Sequence, residues 1–395
     1  MQEDAMKTKL RLPAQTFYLL LQTFYCLSGG FVFRYAAIFM QSRGFPTSRM
    51  GLVLGLSYVL SVCLQPAIAA IVDRWNIPLT KSTIVIYGFD VILAVLILVL
   101  PVSGLPLACM LIVAFSIQSA MQPSINSMIQ VLEANGLIIN FGVARGMASL
   151  IFAVVMTLVG QALKYISPSL MPLGYAVTMS LIIFLIIFFC PVDNTHVKRP
   201  SVNRRGFPSI RKYPRFWLYL LSIVLLISGH CLVDTYLLQI LQNVGGSSSA
   251  LGIGVGLAAL MEFFSMVYYR RFSSKLGCRK LLIVAGWSWV LKIFFLFIAR
   301  SPFAVCLAEL MQFLTFAIYL PANIDFVAAV LPPSDFLKGQ SLTGSAYALG
   351  SVIASFSGGI LLEFLNIPTI LILVLCVVCV GAVLITLSVA EKKTA

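Results

Sequence analysis

The chain has 395 residues, of which 60% are hydrophobic and 10% charged, with a mean hydropathy of +1.00 and a formal net charge of +14. A soluble domain carries about 25% charged residues, so a soluble fold is excluded and the unit to count is the apolar helix of ~20 residues that crosses a bilayer. The positive charge collects in a few polar loops, which points to membrane topology rather than to a nucleic-acid partner.

Taken in chain order, the first apolar segment is 16–40. It follows Lys7, Lys9 and Arg11, and it is too long for the apolar stretch of a cleavable signal. Eleven more follow at 49–72, 80–100, 105–131, 141–165, 169–190, 214–239, 248–270, 279–299, 302–328, 338–364 and 367–390. Between the sixth and seventh, residues 191–213 read "PVDNTHVKRPSVNRRGFPSIRKY", a basic, proline-containing linker. The expected organisation is therefore an N-terminal six-helix bundle over 1–190, the linker, and a C-terminal six-helix bundle over 214–395.

Lysine and arginine fix the expected orientation. With both termini cytoplasmic, the inside segments hold Lys7, Lys9 and Arg11, Arg74 and Lys81, the linker cations, the cluster from Arg270 to Lys280, Lys338, Lys392 and Lys393. The outside segments hold Arg43, Arg49, Lys164 and Arg300. This predicts a multi-pass protein of the cell membrane. Nine cysteines lie mostly within apolar segments, and the Cys376-x-x-Cys379 pair sits among lipid-facing residue types, so it reads as packing rather than as a metal or redox site.

The two halves repeat weakly. Gly51-x-x-x-Gly55 opens the second span and Gly252-x-x-x-Gly256 the eighth, and small residues at this spacing let helix backbones approach closely. Both spans end in short cationic turns, "VDRWNIPLTK" at 72–81 and "SSKLGCRK" at 273–280. Gly142 and Gly160 bracket the fifth span, as Gly339 and Gly358 do the eleventh. Two parallel six-helix repeats joined by a basic loop resemble the major facilitator superfamily, and Val72–Arg74 is similar to that superfamily's loop signature without its following Gly-Arg run. The resemblance implies an all-α membrane protein of twelve transmembrane helices in two six-helix bundles, with a solute site near the midplane between them. It also implies that Asp73 and Arg74 take part in a latch that sets the inward/outward equilibrium.

Within the superfamily, "FGVARGMASLIFA" at 141–153 closely resembles the fifth helix of lactose permease and its relatives, the oligosaccharide:proton symporters. That resemblance implies that Arg145 forks onto sugar hydroxyls and that Phe152, where the family has a tryptophan, supplies a stacking face without the indole N–H. "SYVLSVCLQPAIAAIVDR" at 57–74 is similar to the family's second helix, and Lys292 falls where the family has a ninth-helix arginine. Other positions depart from the family. Its fourth-helix glutamate falls near Asn126 and Ser127, its eighth-helix glutamate is offset by about one turn with Glu262 the nearest candidate, and its tenth-helix His and Glu fall on Gln312 and Thr315. Glu309 lies one turn from Gln312 on the same face.

An ionisable residue inside a span is a functional candidate by default. Arg145, one turn inside its span, either contacts solute or reaches back to cytoplasmic water. Lys292 lies too deep to do so and needs a carboxylate, which Glu309 or Glu262 can supply. Glu262 either binds sugar hydroxyls or carries the proton. A carboxyl that alternates between water and a cationic partner can load and release a proton, and Glu309 beside Lys292 meets that requirement. His230 and Asp234, at i and i+4, share one face of the seventh span, as a coupling group or as an intrahelical polar pair. Arg34 and Asp90 either balance each other or face the cavity. Asp325 and Glu133 sit near span ends, where interfacial solvation explains them. Tyr58, Trp287, Trp289 and Tyr319 are candidates for stacking on a sugar ring.

The expectation is a secondary active transporter, importing a small polar solute, a di- or oligosaccharide, with a proton by alternating access. No cofactor is implied beyond the proton gradient, and the partners are the saccharide and the bilayer, with the chain a monomer and no nucleic acid bound. A nucleoside or small organic acid symporter is the alternative substrate class, since Arg145 and Lys292 suit a carboxylate as well. A drug-efflux antiporter is disfavoured because the fifth span lacks a proline-glycine signature. A membrane enzyme lacks its motifs, there being no His-Glu-x-x-His, Gly-x-Ser-x-Gly or P-loop. A transport-dead membrane sensor is the remaining reading from another class.

Overall fold

The computed structural model describes residues 12–192, 213–332 and 335–390, the side chains of Asp73 and Leu337 apart. The linker expected at 191–213 thus falls almost wholly outside the described residues. Every regular element among them is helical. In chain order these are α1 (Ala14–Gly29), a π-helical turn at Gly30–Arg34, α2 (Ala36–Ser42), α3 (Thr47–Arg74), α4 (Leu79–Val99), α5 (Gly104–Ala120), α6 (Gln122–Ala134), α7 (Phe141–Ala162), a 3₁₀ turn at Pro168–Leu170 and α8 (Met171–Phe189). After the linker come α9 (Pro214–Asn243), α10 (Ser248–Ile298), α11 (Pro302–Glu309), a 3₁₀ turn at Leu310–Phe313, α12 (Phe316–Val330), α13 (Phe336–Phe364) and α14 (Ile367–Val389).

Among the described residues, eleven helical segments are long and apolar enough to cross a membrane. One of them, α10, is 51 residues long and carries two spans, because Gly277 at φ 73°, ψ 157° breaks it in the middle. Twelve spans result, as the apolar pattern predicts. The expected gap between 270 and 279 is not an open loop: both limbs stay helical up to Gly277, the residue type that tolerates a positive φ. The first, fourth and tenth spans, each expected to be continuous, are interrupted instead. The first passes through the π turn, the fourth breaks at Met121 just before Pro123, and the tenth runs through the 3₁₀ turn. Pro123 lacks an N–H to donate and so sits in the first turn of α6, where none is needed.

An even number of crossings puts the start of α1 and the end of α14 on one face, called here the near face. Near-face contacts agree: Gln15 Nε2 donates to the Asn140 carbonyl before α7, and Arg215 Nη1 to the Ala390 carbonyl after α14. The halves meet along two helix pairs, α3 with α13 and α7 with α10. At the far end of each pair glycines touch. A methyl group on Gly160 would lie 2.6 Å from Gly252 Cα, and one on Gly359 would lie 2.8 Å from Gly51 Cα. Backbones this close leave room only for hydrogen side chains. Thr157 Oγ1 donates to the Gly252 carbonyl at 3.2 Å, and the Ser48 N–H to Glu363 Oε1 at 3.3 Å, both at this far end. Toward the near face the α7/α10 pair is spaced by a ring instead, with Phe263 lying 3.3 Å from where a Gly146 methyl would stand. The halves are therefore in backbone contact at the far end, while toward the near face a side chain spaces α7 from α10.

Because the seam admits no Cβ, Gly160→Val and Gly252→Val should each cost about 1–3 kcal/mol of overpacking. Thermal unfolding of the purified protein in detergent should show a lowered midpoint for both. Gly88→Val, at a helical position with nothing within 4 Å of an added Cβ, should leave it unchanged.

Candidate functional site

In the C-terminal half the site is built where the tenth span leaves α-helical geometry. Glu309 ends α11, and the tighter 3₁₀ turn after it brings Gln312 to the same side. Lys292, on the second limb of α10, donates from Nζ to Glu309 Oε2 at 2.8 Å and to Gln312 Oε1 at 3.1 Å. Lys292 and Glu309 are each only 1% exposed. Gln312 Nε2 donates in turn to Glu262 Oε1 at 3.1 Å, and Thr315 Oγ1 to Gln312 Oε1 at 3.4 Å. Of the two carboxylates open to Lys292 from sequence, Glu309 is the partner, and Glu262 is reached only through the Gln312 amide. Glu262 is partly exposed, while the Oε1 atom of Glu309 is buried with no donor.

In the N-terminal half Asn140 caps α7 by accepting the Val143 N–H at 3.1 Å. Arg145 follows on the first turns of α7 and donates from Nη1 to Ser149 Oγ at 2.9 Å. A guanidinium has five N–H donors, and this bond uses one. Arg145 is partly buried and within Coulombic reach of Glu262 across the cleft. Asn126, which the family resemblance sets at the arginine's partner position, is engaged elsewhere. Its Oδ1 accepts from Gln22 Nε2 at 3.1 Å, and the same Gln22 nitrogen lies 2.9 Å from the Tyr18 hydroxyl. Phe152 lies against the first span: a methyl on Gly30 would come within 2.8 Å of its ring, so part of the expected stacking face is spent on packing. The ring remains half-buried.

Between the halves stands an ion pair that the sequence did not suggest. Arg34, the last residue of the π turn, donates from Nη1 to Asp234 Oδ2 on α9. His230 Nε2 lies 3.5 Å from the same oxygen. The imidazole is buried, stacked on Phe316 with ring centroids 5.0 Å apart and 19° between planes. The expectation that Arg34 and Asp90 balance each other is thus corrected. Asp90 is fully buried in the N-terminal half and accepts the Tyr175 hydroxyl at 2.5 Å, while helix geometry turns Arg34 toward the other half. A usable signal for Arg34–Asp234 lay in the repeat: the two are 200 residues apart, and Gly51 and Gly252 are 201 apart.

The remaining candidates scatter. Arg74 ends α3 and is exposed, and the Asp73 side chain lies outside what is described. Trp289 and Tyr319 are buried against one another with centroids 5.4 Å apart, leaving no open face for a sugar ring. Trp287 is exposed and donates to Thr386 Oγ1 on α14, away from the cleft. Tyr58 is half-buried and stacks on Phe33 at 5.5 Å.

The model of the MFS_1 like family matches residues 15–372. YwbF, an uncharacterized transporter of Bacillus subtilis (strain 168), is 22% identical over 245 residues, which are 61% of this chain and 59% of that protein. The match thus takes in about three fifths of that curated relative's length. Crystal structures of the nucleoside transporter NupG and of a point mutant of it superpose with a TM-score of 0.79 at 13% identity. They cover 95% and 94% of this chain, and 98% of each solved chain is matched. That likeness establishes the fold, two six-helix bundles of the major facilitator type. These findings reach the superfamily without selecting its oligosaccharide:proton symporter branch. The chain belongs to the MFS_1 like family.

Removing one member of a buried ion pair leaves an uncompensated charge and costs about 3–5 kcal/mol, whereas replacing both with apolar residues is often neutral. Lys292→Met should therefore lower the unfolding midpoint in detergent markedly, and Lys292→Met/Glu309→Leu should recover most of the loss.

Proposed function

We propose that this member of the MFS_1 like family is a proton-driven importer of a neutral, polyhydroxylated solute, a di- or oligosaccharide in the first place. The observation that carries the reading is the pair Arg145 and Glu262. They bear opposite charges, stand on opposite halves, and are held by separate neutral partners, Ser149 and Gln312, rather than by each other. A hydroxyl both donates and accepts, so a polyol can bridge a free guanidinium fork on one side and a carboxylate on the other. A solute bound by both halves favours the states in which the halves close on it.

Coupling is assigned to Glu309 and Lys292, with Gln312 as the link to Glu262. Glu309 Oε1 has no donor, so a proton can enter there without displacing an existing hydrogen bond. The Gln312 amide touches both Lys292 and Glu262, which ties the state of the buried pair to a group that holds solute. His230 and Asp234 are assigned to the same charge system. With the basic loops on the near face, the positive-inside rule puts that face in the cytoplasm of a cell-membrane protein. A cleft shut at the far end is then an inward-facing state. The chain acts as a monomer on this reading, and Arg74 with Asp73 serves as the cytoplasmic latch.

A second reading, a nucleoside as the solute, is favoured by the fold shared with the nucleoside transporter NupG. A ribose presents the same hydroxyl chemistry to Arg145 and Glu262, and Phe152 can offer a ring to the base.

The test is uptake of labelled saccharides and nucleosides into proteoliposomes under an imposed inward proton gradient. Accumulation of one of these classes should require the gradient and be lost in Arg145→Lys, which keeps the charge but not the planar fork. Accumulation of acidic solutes alone would overturn the assignment. In a companion measurement, Glu309→Gln should abolish uphill uptake while sparing solute exchange; intact uphill uptake would remove Glu309 from the coupling role.

A further inference from the structure

Among the described residues, Asp90 is a buried carboxyl group that no cation answers. It stands midway along α4 and is fully buried. The helices packed on α4 are α8, α5 and α6. None of the three contains a lysine, arginine or histidine, and α4 itself has only Lys81. Lys81 is exposed at the near end of α4, nine residues from Asp90, which is about 14 Å along the axis. The ionisable groups that face Asp90 are Tyr175 of α8 and Tyr87, one turn back on α4. Tyr25 of α1 is within Coulombic reach of both tyrosines, while Cys109 on α5 and Glu133 on α6 are exposed.

An ionised carboxylate in such surroundings is expensive, and the common remedy is an opposite charge. The oxygens around Asp90 offer a different one. The Tyr175 oxygen lies 2.5 Å from Asp90 Oδ2 and 3.4 Å from the Ala114 carbonyl on α5. A tyrosine hydroxyl has one hydrogen and can also accept, so these positions fit two placements of the hydrogens. With a proton on Oδ2, the acid donates to Tyr175 and Tyr175 donates to Ala114, and one chain uses both contacts. With the carboxylate ionised, Tyr175 spends its hydrogen on Oδ2 and has none for Ala114. Asp90 Oδ1 then keeps its share of the charge with no donor. The Tyr87 hydroxyl, fully buried and likewise without a partner, does not supply one.

We propose that Asp90 is a proton-binding site in the core of the N-terminal bundle, its carboxyl carrying a proton and donating through Tyr175 to the Ala114 carbonyl. The site goes beyond the coupling assignment above, which places the driving proton on Glu309 in the other half. It also lies off the cleft, since α4 and α8 pack on one another and on the N-terminal helices α1, α5 and α6. Tyr175 walls a small cavity together with Phe31 and Val32 of the first span, Ile97 of α4, and Met171 and Pro172 of α8. Ile97 and Met171 sit at the far ends of their helices, so a proton arriving from that side meets Tyr175 before the acid. Loss of the proton breaks the chain to α5 and sets an unpaired charge between α4 and α8.

The experiment is infrared spectroscopy of the purified full chain in lipid vesicles at neutral pH, in water and in deuterated water, which needs no solute. A protonated carboxyl has a C=O stretch apart from those of carboxylates and amides, and deuteration shifts it. The wild type should show such a band. Asp90→Asn should lose a component of it, Glu309→Gln should retain that component, and Tyr175→Phe should move it because its acceptor is gone. Should Asp90→Asn fail to fold, wild-type protein with carbon-13 in its aspartate carboxyls carries the same test, the component moving to lower frequency. An undiminished band in Asp90→Asn, or a band that aspartate labelling leaves in place, would overturn the site. A second readout separates a proton from a small cation, since a ligand that binds the folded state raises its unfolding midpoint. Exchanging choline chloride for sodium chloride should shift the midpoints of the wild type and Asp90→Asn equally. A sodium-dependent rise that Asp90→Asn abolishes would make the partner a metal cation and remove the proton.

Discussion

An ionisable group inside the bundle must be answered by a counter-charge or a hydrogen-bond partner, and that constraint orders the polar interior. A cation or carboxylate facing lipid costs several kcal/mol, so each one here has a partner or a wet surface. Arg34 meets Asp234, Lys292 meets Glu309, and Arg145 faces Glu262 at longer range. Asp90, a fourth buried carboxyl group, is met by the Tyr175 hydroxyl instead of by a cation. The pairs differ in kind. Lys292–Glu309 is dry and within one half, Arg34–Asp234 is partly exposed and between halves, and Arg145 and Glu262 stand on opposite halves with separate neutral partners.

These groups lie where helices depart from regular geometry. The π turn delivers Arg34, the 3₁₀ turn delivers Gln312 beside Glu309, and α9 bends just after Asp234. A straight helix repeats side chains on a fixed stripe, so it cannot place two neighbours on independently chosen vectors. Breaking the helix frees a direction at the expense of backbone hydrogen bonds, which is tolerable only where the freed groups line a cavity or are buried in protein. The irregular turns and the polar groups therefore belong to one feature.

Much of this was legible from sequence, and the remainder has an identifiable physical reason. Twelve apolar runs of bilayer length gave the spans, because length and hydropathy are local properties. The glycine pairs at Gly51 and Gly252 were legible as close-packing positions, and both sit in the seam. That Lys292 needs a carboxylate was legible because a lysine too deep to snorkel must be paired, but the choice of Glu309 over Glu262 was made by the structure. Arg34–Asp234 was not, since partner choice across the cleft depends on the rotation of the first span, which the π turn resets by one residue. The same turn explains why Asp90, a plausible partner on paper, is left to Tyr175. Trp289 and Tyr319 looked like sugar platforms because aromatic type says nothing about which wall of a helix faces the cleft.

The repeat also constrains how the molecule can move. Gly51 and Gly252 are images of one another under the repeat, and so are Gly160 and Gly359, which are 199 residues apart. The seam contact Gly51 with Gly359 is thus the image of Gly252 with Gly160. Two equivalent contacts flanking a central axis cannot be separated one at a time by a rigid rotation of one bundle against the other about an in-plane axis. They part together, and anything joining the halves near that axis parts with them. The first and seventh spans are images too, so a side chain on one meets its counterpart on the other close to the axis. Glycines at the flanks make the closed far end a tight fit, and opposite charges at the centre make it attractive.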